Sequence, residues 1–186
     1  MITISTMNNT DIIVYPVPWD ITTTGISGTA NAPKHLRNIM HQLDESHPFI
    51  HSRIKMEWGM PSKEIITMQS THNIEASQII KTLNHGLALN IDAVNIQRLI
   101  NEACQKMNKI VYQDIQQYLS KHRVVVCGGE HGVGLGYVQA LSDMYSDFGI
   151  LQIDAHMDCR TNYLGFEFSH ACIANHYSRI DSVKSI

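Results

Sequence analysis

Short apolar runs typical of strands alternate along this chain with longer stretches of helix-spaced apolar residues. Residues 11–15 (DIIVY) form an apolar run that ends at Pro16 and Pro18, which predicts a buried first strand. Residues 54–58 predict a second strand. Helical spacing covers residues 33–43, 74–89 and 94–121. Residues 46–71 otherwise fit neither pattern, so we expect them to be irregular.

The pattern is clearest in the second half of the chain. Residues 123–127 (RVVVC) are apolar on both faces, as in the centre of a parallel sheet. A helical pattern over residues 135–145 follows, and residues 148–154 (FGILQID) predict another buried strand. Strand, helix and strand in this order predict a right-handed parallel βαβ unit. We therefore expect an α/β fold with a mainly parallel sheet.

Composition narrows the class of protein. The 186 residues are 44% hydrophobic and 17% charged with a formal net charge of −3, which excludes a disordered chain and provides no basic surface for nucleic acid or membranes. No apolar run approaches the roughly 18 residues of a membrane span, and the first residues lack a signal-peptide pattern. The four cysteines form no CxxC pair, which is typical of reduced thiols. We expect a cytoplasmic protein with no nucleic-acid or membrane partner.

Candidate metal ligands follow both strands of the predicted βαβ unit. Residues 128–131 (GGEH) follow the first strand, and Asp154, His156 and Asp158 (DAHMD) follow the second. Because ligands bind beyond the carboxyl ends of parallel strands, we expect these side chains to meet. Alternate residues of an extended chain point to one side, so the three fit two ions about 3.5–4 Å apart that share one carboxylate. His131 would supply a nitrogen from the neighbouring strand.

Charge favours a metal site over ordinary structural roles for these residues. Taken singly, His131 would be a turn histidine and Asp154 a capping residue. Two carboxylates side by side at the end of a buried strand are costly unless a cation compensates for them. A set of carboxylates and imidazoles without thiolates favours Mn²⁺ or a similar divalent ion over zinc.

Three motifs carry a resemblance to a known family. GGEH (128–131), DAHMD (154–158) and FSHA (168–171) resemble the metal and active-site motifs of the ureohydrolase family, which includes arginases, agmatinases and formimidoylglutamases. Four features nearer the amino terminus also resemble this family: Pro18-Trp19-Asp20, Gly28-Thr29, Pro33 and Arg37. The resemblance implies an arginase-like three-layer α/β/α fold.

The resemblance also implies a binuclear manganese centre. His131 and Asp158 would bind one Mn²⁺ ion. His156 would bind the other, and Asp154 would bridge the two. Paired ions activate water near neutral pH, and the water would hydrolyse a linear C–N amidine bond in a small guanidino or formimino substrate. His170 would be catalytic, either shuttling protons or holding the substrate.

The loop that follows DAHMD bears on the substrate. Residues 166–170 (FEFSH) look most like agmatinases, which cleave agmatine to putrescine and urea in polyamine metabolism. Arg160, a candidate substrate-binding residue, would repel the cationic tail of agmatine but could bind a carboxylate, as in a formimidoylglutamase or another guanidino-acid hydrolase. The alternative for Arg160 is a solvent-facing side chain. Tyr163 and the two phenylalanines of FEFSH would form a binding wall or pack in the core.

Departures from the family pattern bear on activity. Glu130 and Gly132 stand where the family commonly has Asp and Ser. The family's later D-x-D motif, which supplies a second bridging carboxylate, has no match because no two aspartates in this chain are two residues apart. We therefore expect residues 1–186 to form a single, incomplete domain, truncated at its carboxyl end. Such a chain would work as a homo-oligomer or with a complementing chain, or would be a non-catalytic fragment or split half.

Overall fold

The computed structural model describes residues 11–43 and 54–186, which fold into five strands and five α-helices. The strands are β1 (Ile12–Val17), β2 (Met56–Trp58), β3 (Arg123–Gly128), β4 (Phe148–Gly149) and β5 (Val183–Ser185). The helices are α1 (Ala32–Ile39), α2 (Lys63–Asn84), α3 (Ile91–Leu119), α4 (Leu135–Ser142) and α5 (Ile173–Tyr177). This mixture of helices and parallel strands confirms the α/β fold class.

The strands form two separate parallel sheets. The larger sheet has the order β2-β1-β3, with Ile12 opposite Arg123 and Val17 opposite Gly128. The smaller sheet pairs β4 with β5. The parallel direction agrees with the sequence prediction. However, β3 and β4 lie in different sheets, so the predicted βαβ unit, with both strands in one sheet, is wrong.

The predicted strand over residues 148–154 is also shorter than expected. Only Phe148 and Gly149 form β4, although Ile150 still donates a backbone hydrogen bond to Ser185. Leu151 and Ile153 beyond it are 87% and 92% exposed. An apolar run becomes a strand only where a neighbouring strand offers backbone partners, and no described strand lies beside residues 151–154.

Helix α3 organises the main hydrophobic core. Its buried residues recur every three or four positions, which places them on one face of the helix. The fully buried members of this face are Ile100, Cys104, Met107, Val111 and Ile115. They pack against α2, α4 and the sheet, together with Tyr15, Val17 and Trp19 from β1 and the loop after it. The long helical pattern in the sequence therefore identified the central helix correctly.

Helix α2 is longer than the sequence pattern indicated. It begins at Lys63, inside the stretch expected to be irregular, and ends at Asn84 rather than near residue 89. The extended backbone of Ser62, directly after Met60-Pro61, starts the helix, and Ile65 is fully buried in its first turn. Because Ile65 is the only buried residue of α2 before Ala76, the first turns give a weak periodic signal, which explains why they were missed. Residues 46–53 of that stretch lie outside the described residues.

Helix α1 begins beside Pro33 as predicted, yet its apolar face is not buried. Leu36, Ile39 and Leu43, expected to face the core, are all about half exposed, and the buried residue of the helix is Pro33. Among the described residues, no helix combines the length and apolar character needed to cross a lipid bilayer.

The close approach of β1 and β3 at their carboxyl ends requires glycine at position 129. The Gly129 amide donates to the Val17 carbonyl oxygen at 3.2 Å, and the Glu130 amide donates to the Trp19 carbonyl oxygen at 2.9 Å. A Cβ atom on Gly129 would lie 2.0 Å from that same Trp19 oxygen. The glycine therefore lets the loop after β3 lie directly against the loop after β1, which places the polar residues of both loops together.

Candidate metal centre

His131, Asp154 and Asp158 meet beyond the carboxyl end of β3. His131 Nδ1 lies 2.8 Å from Asp158 Oδ2 and 3.4 Å from Asp154 Oδ2. One ligand atom from each residue lies within 4.8 Å of the others. The side chain of Asp158 is only 7% exposed, whereas the other two are partly exposed. The structure therefore brings together three of the four metal ligands predicted from the sequence.

Asp158 reaches this cluster because the backbone turns rather than staying extended. Its φ of 50° lies in the left-handed region, which is uncommon for residues other than glycine, asparagine and aspartate. The Asp158 carbonyl oxygen accepts a hydrogen bond from the Ala174 amide at 3.0 Å, which ties the turn to the start of α5. The prediction that Asp154, His156 and Asp158 share one side of an extended strand is therefore wrong, although the two aspartates do meet.

His156, the fourth predicted metal ligand, does not belong to the three-residue cluster, although it lies beside Asp154. Its side chain is 82% exposed, and its Nδ1 lies 3.6 Å from Asp154 Oδ1. Its backbone amide donates to that same carboxylate oxygen at 2.9 Å. This hydrogen bond lowers the pKa of Asp154 below its ordinary value, with a smaller contribution from the nearby His131 ring. Asp154 is thus favoured in the ionised form that a metal ligand requires.

His170 lies on the same side of the fold, in a 3-10 turn that continues into α5. Ser169 caps this turn by accepting a hydrogen bond from the Ala171 amide at 3.2 Å. His170 Nδ1 is 3.8 Å from Glu130 Oε2, and the edge of its ring meets Tyr163 with 6.1 Å between centroids. The Glu130 carboxylate raises the pKa of His170 above its ordinary value, despite the opposing effect of partial burial.

Glu130 is a site residue that sequence reasoning did not select. Its buried carboxylate accepts from the Thr22 hydroxyl, which lies 2.7 Å from each carboxylate oxygen, and from the Thr23 hydroxyl at 3.3 Å. The threonine pair follows the carboxyl end of β1. Two polar residues after a buried strand were therefore the sequence feature that could have indicated a partner for Glu130. A buried carboxylate with three hydroxyl contacts is fixed in place beside His170.

Arg160 lies in the loop that links the aspartate turn to His170. Its backbone amide donates to the Ala171 carbonyl oxygen at 3.1 Å, and its guanidinium carbon lies 5.0 Å from the centroid of the Tyr163 ring. Because the Tyr163 ring also meets His170, Arg160 is placed one aromatic ring away from the predicted catalytic histidine. Of the other aromatic residues, Phe166 is fully buried in the core and Phe168 stacks on His176.

The chemistry of the three clustered side chains fits a divalent cation. Two carboxylates and one imidazole suit Mn²⁺ and similar ions, which are commonly six-coordinate with several oxygen ligands. Two carboxylates this close repel each other, and a cation between them would remove that repulsion. Among the described residues no second group of three such side chains comes this close together. The donor set therefore fits one ion with an incomplete protein shell.

Comparisons with known proteins show which proteins this chain is similar to. The chain is 24% identical over 161 residues to the N(1)-aminopropylagmatine ureohydrolase of Thermus thermophilus, a match that covers 86% of this chain and 44% of that enzyme. It is 37% identical over 79 residues to the arginase of Saccharomyces cerevisiae, covering 41% of this chain and 22% of that enzyme. The matches to these curated relatives thus take in less than half of the length of each relative.

The fold also matches solved structures. The agmatine ureohydrolase of Thermoplasma volcanium superposes with a TM-score of 0.59 at 19% identity, over 92% of this chain and 46% of that one. At this identity the likeness shows the fold. The model of the arginase family matches residues 10–185, nearly the whole sequence. The chain therefore belongs to the arginase family.

Proposed function

We propose that this chain forms the metal-binding part of a manganese-dependent hydrolase that cleaves a linear C–N amidine bond. The observation that carries the proposal is the meeting of His131, Asp154 and Asp158 within 4.8 Å beside His170. The two carboxylates and the imidazole would hold the ion, with His131 offering Nδ1. When bound, Mn²⁺ acts as a Lewis acid and activates water for attack on the planar carbon of the substrate.

The residues around His170 favour its protonated ring, which would supply the proton that the reaction needs. Hydrolysis of an amidine bond expels an amine, which must be protonated as it leaves. The Glu130 carboxylate favours the protonated His170 ring, and the Tyr163 ring lies nearly perpendicular to it. Thr22 and Thr23 hold Glu130 in place, so the loop after β1 contributes to the orientation of His170. His170 is therefore the proposed general acid.

Agmatine, cleaved to putrescine and urea, is the proposed substrate. The supporting observations are the FEFSH motif and the relative from Thermus thermophilus, whose name gives an aminopropyl derivative of agmatine. Arg160 favours a second candidate, a formimino or guanidino acid, because its charge beside Tyr163 attracts a carboxylate tail and repels an ammonium tail. Polyamine metabolism and the cytoplasm are the proposed setting for the first of these reactions.

A third candidate is a non-catalytic or split half of such an enzyme. Because His156 is exposed and outside the three-residue cluster, the described residues offer one ion three donors and a second ion too few. A homo-oligomer or a complementing chain would then have to complete the site. We accordingly expect residues 1–186 alone to bind about one Mn²⁺ ion weakly and to release no urea from agmatine.

Manganese binding and urea release together test these proposals. Electron paramagnetic resonance of free Mn²⁺ should show about one weak site per chain, lost in Asp158→Asn and retained in the exposed-surface control Asp181→Asn. Urea release should be undetectable with agmatine and with 4-guanidinobutyrate, which carries a carboxylate tail of similar length. Absence of any Mn²⁺ binding would contradict the metal site.

Steady urea release that is abolished by chelator and by His170→Ala would show a complete catalytic site. The substrate that is cleaved faster would then decide whether Arg160 binds a carboxylate tail.

A further inference from the structure

A strained turn lies beside the predicted catalytic histidine. Tyr163 and Phe166 exchange two backbone hydrogen bonds, each of 3.0 Å, which close a turn with Leu164 and Gly165 at its centre. The φ angles of these two central residues are 52° and 79°, so both lie in the left-handed region, as in a type I′ turn. Glycine adopts this conformation readily, whereas a bulky residue such as leucine is strained in it. The residue at position 164 therefore disfavours the turn that the structure contains.

Two side chains of helix α3 hold this turn in place. Gln97 Nε2 donates to the Leu164 carbonyl oxygen at 2.6 Å, and Asn101 Nδ2 donates to the Gly165 carbonyl oxygen at 2.9 Å. Asn101 Oδ1 also accepts a hydrogen bond from the Glu167 amide at 2.9 Å. Because Gln97 and Asn101 are four residues apart, they lie on the same face of the helix. Three hydrogen bonds from one helix thus fix the backbone of a turn that its own sequence disfavours.

Tyr163 is the residue that this turn presents to the site. Its ring contacts both Arg160, whose guanidinium carbon is 5.0 Å from the ring centroid, and His170, whose ring is nearly perpendicular to it at 6.1 Å between centroids. Arg160 is exposed, and within residues 11–43 and 54–186 no carboxylate forms an ion pair with it. The position of Tyr163 therefore sets where the charge of Arg160 lies relative to His170. Backbone strain that neighbouring contacts maintain is common at functional sites.

We propose that Gln97 and Asn101 are positioning residues, which hold Tyr163 against Arg160 and His170 and thereby control how the tail of the substrate is selected. The inference rests on the function proposed above, in which the reacting end of the substrate lies at the metal centre beside His170. A guanidinium held in one place discriminates between a carboxylate and an ammonium tail better than one that moves freely in water. Neither Gln97 nor Asn101 belongs to the GGEH, DAHMD or FSHA motif.

Relief of the strain at position 164 separates positioning from simple packing. The paired α3 variant, Gln97→Leu with Asn101→Leu, removes all three hydrogen bonds to the turn. In this variant we expect the nuclear Overhauser contact between the ring protons of Tyr163 and His170, measured without metal, to be lost. Adding Leu164→Asn gives the sequence Asn-Gly, which by itself favours a type I′ turn, so the contact should return.

A matched pair on the same helix provides the control. Gln113 and Gln117 are also four residues apart on α3, and both are exposed. Gln113→Leu with Gln117→Leu should therefore leave the contact between Tyr163 and His170 unchanged. Circular dichroism of each variant should show the helix content of the unmodified chain.

Ligand binding to the chain loaded with Mn²⁺ tests the role in substrate selection. Relaxation of ligand protons by bound Mn²⁺ compares the affinities for 4-guanidinobutyrate, which has a carboxylate tail, and agmatine, which has an ammonium tail. In the paired α3 variant the affinity ratio should shift towards agmatine by about threefold or more, the size expected for an exposed ion pair. The ratio should return towards that of the unmodified chain when Leu164→Asn is added.

The two measurements distinguish failure of this inference from failure of the proposed function. A ring contact that persists in the paired α3 variant, or one that Leu164→Asn does not restore, would overturn the positioning role. An affinity ratio that is the same in all variants would overturn the role in substrate selection. If the unmodified chain bound neither Mn²⁺ nor the two ligands, the proposed function would fail and the selection role with it. The ring contact, measured without metal, would still decide whether Gln97 and Asn101 hold the turn.

Discussion

The hydroxyl oxygen of Thr22 lies 2.7 Å from both carboxylate oxygens of Glu130, although 108 residues separate the two along the chain. This contact joins the loop after β1 to the loop after β3. It also fixes the negative charge that lies 3.8 Å from His170 Nδ1. The protonation of His170 is therefore coupled to a loop at the other end of the sequence.

Glu130→Gln should lower the pKa of His170. The negative charge of Glu130 stabilises the protonated ring, and glutamine keeps the shape of the side chain without that charge. Nuclear magnetic resonance titration of the His170 ring proton measures the change. Glu167→Gln, the same substitution at an exposed acidic residue three positions before His170, should shift the titration less. An unchanged titration in Glu130→Gln would assign the raised pKa to another cause.

Folding stability should carry a pH dependence that comes from His170. The pKa of His170 is raised in the folded state, so the protonated ring stabilises the fold. This stabilisation is complete at pH values below the unfolded-state pKa of about 6.5, and it is lost as the pH rises through the folded-state pKa. The free energy of unfolding from urea titrations should therefore fall more steeply with rising pH in the unmodified chain than in His170→Gln. Parallel curves for the two proteins between about pH 5.5 and pH 8.5 would contradict the assignment.

Asp154→Asn should weaken Mn²⁺ binding more than His156→Asn. Asp154 lies in the three-residue cluster, whereas the His156 side chain is almost fully exposed and outside it. Manganese content per chain after dialysis compares the two variants directly. We expect His156→Asn to retain most of the metal. Equal retention in both variants would remove the role given to Asp154.

Gly129→Ala should destabilise the fold by about 2 kcal/mol, because the new methyl group would collide with the backbone of Trp19, which cannot move away without breaking its own packing. Urea unfolding followed by tryptophan fluorescence measures the loss. Gly25→Ala is the matched control, since nothing lies within 4 Å of its Cβ position, and it should leave stability nearly unchanged. Similar stability of the two variants would show that the loops after β1 and β3 can separate without cost.

Much of the fold followed from local sequence patterns. The apolar run at β1, the valines of β3 and the long periodic stretch of α3 each form the predicted element, because burial on one or both faces selects their residues strongly. The first turns of α2 were missed because they bury little. The predicted strand after Phe148 failed because an apolar sequence does not provide the neighbour that a strand needs.

Part of the candidate site was also predicted from local sequence patterns. Motifs at strand ends selected His131, Asp154 and Asp158 because strand ends are local features of a sequence, and the resemblance of FSHA to the family selected His170. Glu130 was noted as a departure from the family pattern but was not selected as a site residue, because its contacts are with hydroxyl groups on another loop and with His170. His156 was expected in the cluster because alternation assumes an extended backbone, whereas the chain already bends at Ala155 and His156.

The sequence alone therefore determined which residues form the central strands and helices and which polar residues follow them, since periodicity and local residue chemistry act over a few positions. Only the tertiary structure decided which of those polar side chains meet. The left-handed turn at Asp158, the clash that requires glycine at 129 and the separation of β3 from β4 each depend on atoms from distant segments. Contacts of that kind are set by packing and by backbone partners across the fold, which no local pattern records.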